Sequence, residues 1–325
     1  MTEILGGNEA DVQRAVAALR RGELVAFPTE TVYGLGADAS NEAAVRAVFL
    51  AKGRPSTHPL IVHLHAEADL GQWARPDGRA DVLRAAFWPG PLTIILQRGP
   101  AASDIVTGNQ DTVALRSPNH DLAQRLLAES TLALVGPSAN RFGRVSPTTA
   151  GHVLQELSGR IHLILDGGPC RVGLESTIVD LSDTVPRVLR PGAISVAQLV
   201  EQLGVKVEAG AITDSPRVPG QLPSHYAPSA STSLLDGPGL SAWLPHAAIS
   251  SGVIALDGPP ADFPGSWITL PSDPEEYARE LYASLRELDD TADFIVIQKP
   301  PSGAEWAAVN DRLERATATR ELEGT

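Results

Sequence analysis

Short apolar runs alternate with amphipathic helical patterns through most of this chain. Elements that take turns in this way bury their apolar faces as layers of sheet and helix. The runs Leu24 to Phe27, Leu60 to Leu64, Leu92 to Leu96, Thr112 to Arg116, Leu132 to Val135, Ile161 to Leu165, Thr177 to Leu181 and Val185 to Leu189 read as strands. Helices are expected at Ala10 to Arg21, Glu42 to Ala51, Arg79 to Phe87, Asp121 to Glu129, Thr148 to Leu157 and Ser195 to Leu203. The fold class is therefore α/β, with a mixed sheet and flanking helices over residues 1–205. From Val205 to Ser233 the pattern gives way to Gly210, Pro216, Pro219, Gly220, Pro223 and Pro228, so residues 206–232 read as a linker, and a segment of that length commonly lies over an active site. A smaller α/β unit is expected over residues 233–325, with strands near Gly252 to Leu256, Trp267 to Leu270 and Phe294 to Ile297. Asp273-Pro-Glu-Glu276 signals a helix start with proline at the first position, and Ser302-Gly-Ala-Glu305 reads as a capping box.

Phe27-Pro-Thr-Glu-Thr-Val-Tyr-Gly-Leu-Gly36 leaves the carboxyl end of the first apolar run, where open α/β sheets bind ligands. Gly34 and Gly36 are expected to adopt dihedrals closed to other residues, while Thr29, Glu30, Thr31 and Tyr33 supply polar groups. A tight strand-to-helix turn explains the same residues without a ligand. Lys52-Gly-Arg-Pro55 sets a point charge beside a planar donor fork, a mixture suited to polyphosphate. It also suits a solvated helix end. Period-2 alternation places His63 opposite Leu60, Val62 and Leu64, and places Thr112, Ala114 and Arg116 on one strand face. Arg116 is thus a candidate carboxylate clamp or a surface ion pair. Gly136-Pro-Ser-Ala-Asn140, Ser146, Ser176 and Arg190 fall in further strand-to-loop exits, as phosphate contacts or as turn formers.

Other chemistries leave no trace. There is no Gly-x-x-x-x-Gly-Lys-Ser/Thr loop, no Gly-x-Ser-x-Gly elbow and no His-Glu-x-x-His pair among the 8 histidines. A single cysteine, Cys170, excludes an intrachain disulfide and reads as a small buried residue. With 43% apolar and 20% charged residues and no apolar span of membrane length, a cytoplasmic protein is expected. The net charge of −13 is uneven: residues 206–325 carry 8 basic against 18 acidic residues. Such a surface repels a nucleic-acid backbone, so no stable nucleic-acid partner and no membrane are expected.

In their shared order, Pro28-Thr-Glu-Thr-Val-Tyr-Gly-Leu-Gly36, Lys52-Gly-Arg-Pro55, Pro59-Leu-Ile-Val-His63, Pro89-Gly-Pro-Leu-Thr93, Val113-Ala-Leu-Arg116, Gly136-Pro-Ser-Ala-Asn140, Glu175-Ser-Thr-Ile-Val-Asp180 and Leu189-Arg-Pro-Gly192 resemble the L-threonylcarbamoyladenylate synthases. Pro219-Gly220 and His225-Tyr-Ala-Pro228 extend the resemblance to their long form, a YrdC-like domain followed by a Sua5-type, Rossmann-like domain. Ser224 stands where that family often has a basic residue. The resemblance implies a nucleotidyltransferase that joins L-threonine, bicarbonate and ATP, releases pyrophosphate, and serves N6-threonylcarbamoyladenosine formation in tRNAs reading ANN codons. It implies Thr31, His63, Arg116, Gly136 and Ser176 around threonine. Around the nucleotide it implies Arg54, His58, Thr112, Ser138, Asn140, Ser146, Arg190 and Tyr226, with Lys52 and Arg54 as the catalytic cations. Mg2+ would arrive on the ATP phosphates rather than in a resident site, with no tightly bound organic cofactor. The product would pass transiently to the tRNA threonylcarbamoyl transferase machinery. An RNA-binding module and a carbamoyl transferase are the competing readings: the first needs a continuous basic surface, and the second usually carries zinc-finger cysteines or a kinase-like domain.

Overall fold

A computed structural model describes residues 1–222 and 225–318, so Ser224 lies outside the described residues. The chain divides into one unit of Met1–Phe142 with Pro147–Gln221 and a second of Gly143–Ser146 with Leu222–Thr325.

The strands of the first unit are β1 (Glu3–Leu5), β2 (Val25–Phe27), β3 (Gly34–Asp38), β4 (Ile61–His63), β5 (Leu92–Gln97), β6 (Thr112–Arg116), β7 (Leu134–Val135), β8 (Leu163–Leu165), β9 (Thr177–Asp180), β10 (Arg187–Arg190) and β11 (Glu208–Ala209). They form one mixed sheet in the order β1-β8-β2-β3-β7-β4-β6-β5-β9-β10-β11. Its helices are α1 (Glu9–Arg20), α2 (Glu42–Lys52), α3 (Gly78–Phe87), α4 (Asp104–Thr107), α5 (Asp121–Ser130), α6 (Ala150–Leu157) and α7 (Val196–Leu203). The mixed α/β sheet agrees with the expected fold class.

Each helix has a local cause. Asn8, Asn41, Asp77 and Thr149 cap α1, α2, α3 and α6 through side-chain oxygens, and Ser195 with Gln198 forms a capping box on α7. Gly53 ends α2 in the left-handed conformation, at φ 63°.

The apolar residues fall on two faces. Val45, Val48, Val62, Leu64, Val153 and Leu199 belong to the larger core. Val12, Val16, Leu126 and Leu127 of α1 and α5 pack with Val25, Phe27 and Leu134 in a second cluster. Farther along the sheet, Ile61, Ile95, Ala114, Ile178 and Leu189 pack with Val218.

Three expectations need correction here. The segment after Phe27 does not lead to a helix: Gly34–Asp38 returns as β3, antiparallel to β2, with Phe27 opposite Gly34. Gly34 and Gly36 do not have positive φ. They serve close approach instead, since a Cβ on Gly36 would lie 2.9 Å from the Val25 carbonyl and 3.1 Å from the Phe27 ring. The third concerns the proline-rich segment, whose first part is held to the first unit rather than structureless. Val218 is in the apolar cluster, Arg217 donates to the Gly108 carbonyl at 2.6 Å, and Arg190 donates to the Pro219 carbonyl at 3.1 Å. The division of units falls after Gln221, not after residue 205.

In the second unit β12 (Ser231–Leu235), β13 (Ser251–Ala255), β14 (Ser266–Thr269) and β15 (Phe294–Gln298) form a parallel sheet in the order β12-β15-β13-β14. Helices α8 (Gly237–Trp243), α9 (Pro274–Asp289) and α10 (Ala307–Thr317) accompany it. Asp273 caps α9 with Pro274 in its first turn, as expected. The capping box at Ser302 does not form. A 3-10 turn at Ala304–Trp306 starts from Gly303 with no side-chain cap.

Candidate functional site

Sheet register brings the main candidates of the first unit together. In the parallel pair β4–β6, His63 lies directly opposite Arg116 as Ile61 lies opposite Ala114. Both residues therefore share the face that carries Ile61 and Ala114. Across β6 lies β5, where Ile95 faces Ala114, so Thr93 falls beside Arg116. The Thr93 hydroxyl is 2.7 Å from that of Ser176, at the entry to β9. Arg190 at the end of β10 donates to the Ser176 hydroxyl and backbone carbonyl, each at 3.1 Å. Arg190 thus holds Ser176 and the Pro219 carbonyl.

His63 is 2% exposed and its Nδ1 has no hydrogen-bond partner. Burial, reinforced by the nearby Arg116 charge, pushes its pKa down to about 3, so the ring is neutral at physiological pH. The edge of the Phe27 ring meets it at 5.7 Å between centroids. Gly136 approaches both rings: a Cβ there would sit 2.6 Å from His63 Nδ1 and 3.2 Å from Phe27 Cζ, which requires glycine.

Arg116 is buried and donates from Nε to the Gly90 carbonyl at 3.3 Å. Its Nη2 lies 2.8 Å from Glu30 Oε2. Glu30 and Thr93 were not among the predicted site residues. Period-2 alternation could have exposed Thr93, a hydroxyl two residues before Ile95 on the same strand face, but nothing local to the sequence pairs Glu30 with Arg116. Beside Glu30, the Thr29 hydroxyl donates to the Val32 carbonyl at 2.6 Å. It also accepts from the Thr31 and Val32 backbone N–H groups at 3.1 and 3.2 Å, and it lies 2.9 Å from the Thr31 hydroxyl.

The cations occupy a different setting from the loop expected for them. Lys52 is the last residue of α2, 3% exposed, and its ammonium donates to the backbone carbonyls of Ser138 and Asn140. Burial, then the neighbouring Arg54 charge, lowers its pKa well below the ordinary lysine value. Arg54 donates to the Pro59 carbonyl at 2.8 Å and lies over Phe142 at 6.0 Å; His58 meets the same ring edge-on at 5.4 Å. The loop from Gly136 to Asn140 therefore connects both groups of candidates, touching His63 at one end and Lys52 at the other. Thr112 begins β6, four residues before Arg116 on the same face and about 13 Å along the strand.

Ser138 and Asn140 offer oxygen atoms of the kind hard Mg2+ takes. Among the described residues no three His, Cys, Asp or Glu side chains gather as a metal cluster. Cys170 is buried, and burial pushes its thiol up to about 12, as befits a packing residue. A cleft of about 500 Å3 opens at the Gln97 end of β5, away from Thr93. Arg79 there is tied to Asp77 and to the Leu181 carbonyl, and no reactive pair faces it.

Ser146 and Tyr226 belong to the second unit. Ser146 is fully buried; near it Arg144 pairs with Asp289 at 2.8 Å and Arg286 donates to the Val145 carbonyl. Tyr226 has φ 60°, is 1% exposed, stacks on Tyr282 at 5.9 Å and lies under the Arg312 guanidinium at 5.3 Å. Tyr226→Ala is expected to destabilise this unit by about 3 kcal/mol through loss of a buried ring. Thermal unfolding measures that loss, and an unchanged melting temperature would contradict it.

Comparison with known proteins agrees with this architecture. Residues 17–192 match the Sua5–YciO–YrdC family, described as telomere recombination, and residues 194–318 match a family described as the threonylcarbamoyl-AMP synthase C-terminal domain. A threonylcarbamoyl-AMP synthase of Pyrococcus abyssi is 38% identical, over 96% of this chain and 95% of its own. One from Bacillus subtilis is 39% identical, over 98% and 96%. The crystal structure of P. abyssi Sua5 complexed with L-threonine superposes with a TM-score of 0.90 at 36% identity, covering 97% of this chain and 98% of that one. YciO of E. coli, at 21% identity and a TM-score of 0.53 over 61% of this chain and all of its own, shares the fold.

Proposed function

The chain belongs to the Sua5–YciO–YrdC family in its two-domain form, and we propose that it is a threonylcarbamoyl-AMP synthase. The amine of L-threonine adds to bicarbonate and water leaves, giving N-carboxythreonine; an oxygen of the new N-carboxylate then bonds to the α-phosphorus of ATP as the bond from that phosphorus to pyrophosphate breaks. The observation that carries this reading is the loop from Gly136 to Asn140, which abuts His63 beside Arg116 and is also held by Lys52. One short segment thereby links an amino-acid-sized group of side chains to a cationic, phosphate-suited group. The L-threonine complex of the P. abyssi relative supports the first half.

Each residue's part follows from its chemistry. Arg116 offers a fork to the threonine carboxylate. The neutral His63, Thr31 and Ser176 complete the polar wall, and Gly136 leaves the space. Arg54, His58, Thr112, Ser138, Asn140, Ser146, Arg190 and Tyr226 are the proposed nucleotide contacts. Mg2+ enters bound to ATP, as part of the substrate. Lys52 and Arg54 offset the negative charge that grows on the leaving pyrophosphate. The product is proposed to go to the tRNA threonylcarbamoyl transferase machinery in the cytoplasm. Among the described residues no helix is long and apolar enough to cross a membrane.

Incubation with ATP, L-threonine, bicarbonate and Mg2+, followed by chromatography, tests the reading. Threonylcarbamoyl-AMP and pyrophosphate should appear together and only with all components. Pyrophosphate formed equally well without threonine would overturn it.

A further inference from the structure

We propose that Glu30 receives the α-ammonium of the amino-acid substrate, so that Glu30 and Arg116 together read a zwitterion rather than a carboxylate alone. The proposal rests on the threonine reading above and adds a residue to it.

Glu30 is 3% exposed, and a carboxylate so far from water needs compensation from charge and from hydrogen bonds. It has the charge: Arg116 Nη2 is 2.8 Å away. It lacks the hydrogen bonds. Neither carboxylate oxygen has an aligned donor, and Arg116 Nη2 has no aligned acceptor. An ionised carboxylate offers about four lone-pair sites and an ammonium three donors. A pair serving only the fold would be expected to align; here both partners keep bonding capacity for a third group. His120 and Cys170 lie within the field of Glu30, yet neither hydrogen-bonds its carboxylate.

The surroundings favour the same ligand. Next to Glu30, the Thr31 hydroxyl lies 2.9 Å from that of Thr29, and its oxygen carries lone pairs able to accept from an ammonium. His63, opposite Arg116, is neutral and adds no charge to the Glu30–Arg116 pair. The pair sums to zero, as does an amino-acid zwitterion. With Arg116 alone, the site would accept any small carboxylic acid, including those without the nitrogen that must be carboxylated. A buried Glu30 left without its ammonium penalises such acids, because unpaired polar groups of a site are costly.

The experiment is calorimetric binding of L-threonine and of 3-hydroxybutyrate, which keeps the carboxylate, hydroxyl and methyl but lacks the amine. It uses the full chain as wild type, Glu30→Gln and Glu30→Asp, with unfolding curves for each. The wild type should prefer L-threonine by about 100-fold or more. Glu30→Gln should reduce that preference to below about tenfold without changing ATP affinity, and Glu30→Asp should keep most of it. A folded Glu30→Gln protein with the full preference overturns the proposal. If Glu30→Gln does not fold, the wild-type ratio and the Asp variant decide, and a wild type that binds both acids equally also overturns it. A wild type that binds neither acid refutes the threonine reading itself, a result distinct from either of these.

Discussion

Replacing Lys52 with alanine is expected to lower pyrophosphate release at least tenfold, equivalent to about 1.4 kcal/mol of barrier. Two effects add. The ammonium is buried and donates to the carbonyls of Ser138 and Asn140, so its loss leaves two acceptors unmet and frees the loop that carries the proposed nucleotide contacts. Its charge is also lost from a region of low dielectric, where charge aimed at a leaving group is worth most. Lys52→Met separates volume from charge: it fills the space and should be as impaired as Lys52→Ala. Arg54→Ala should lower turnover in the same direction, through loss of a buried cation whose guanidinium donates to the Pro59 carbonyl. Turnover within a factor of two or so of wild type in both Lys52 variants would remove Lys52 from the mechanism.

What could be read from the sequence followed from periodicity and local chemistry. The alternation in Thr112 to Arg116 put Arg116 and Ala114 on one face, and that in Leu60 to Leu64 isolated His63 from the apolar side; strand pairing then set them opposite each other. The cap at Asp273 was legible because a cap lies within four residues of what it satisfies. Pairings across long separations were not. Glu30 and Arg116 are 86 residues apart, as are Lys52 and the Ser138 carbonyl it holds, and no local signal reports either contact. β3 was missed because Gly34 and Gly36 read as loop, although they are there to let the Phe27 ring approach. The burial of Lys52 was not legible because lysine is rarely buried, and the carbonyls that compensate it come from another part of the chain.

Arg116→Ala is expected to raise the threonine KM about 100-fold, near 2.7 kcal/mol, with little change in the KM for ATP. The guanidinium lies opposite His63, whereas the proposed phosphate contacts gather around Lys52 and Ser138. A stability cost confounds the test, since the variant strands the Glu30 charge in the interior; breaking such a pair from one side costs about 3–5 kcal/mol. The double variant Arg116→Met with Glu30→Gln resolves it. Removing both charges spares the fold most of that penalty, so its melting temperature should recover toward wild type. Its threonine KM should not recover, because both halves of the proposed zwitterion contact are gone. Arg116→Lys should fall between, keeping the charge near Glu30 but losing the planar fork. If the double variant regains both stability and threonine KM, Arg116 is a structural partner of Glu30 and the carboxylate must be bound elsewhere. If the KM for ATP rises instead, the guanidinium belongs to the nucleotide half of the site.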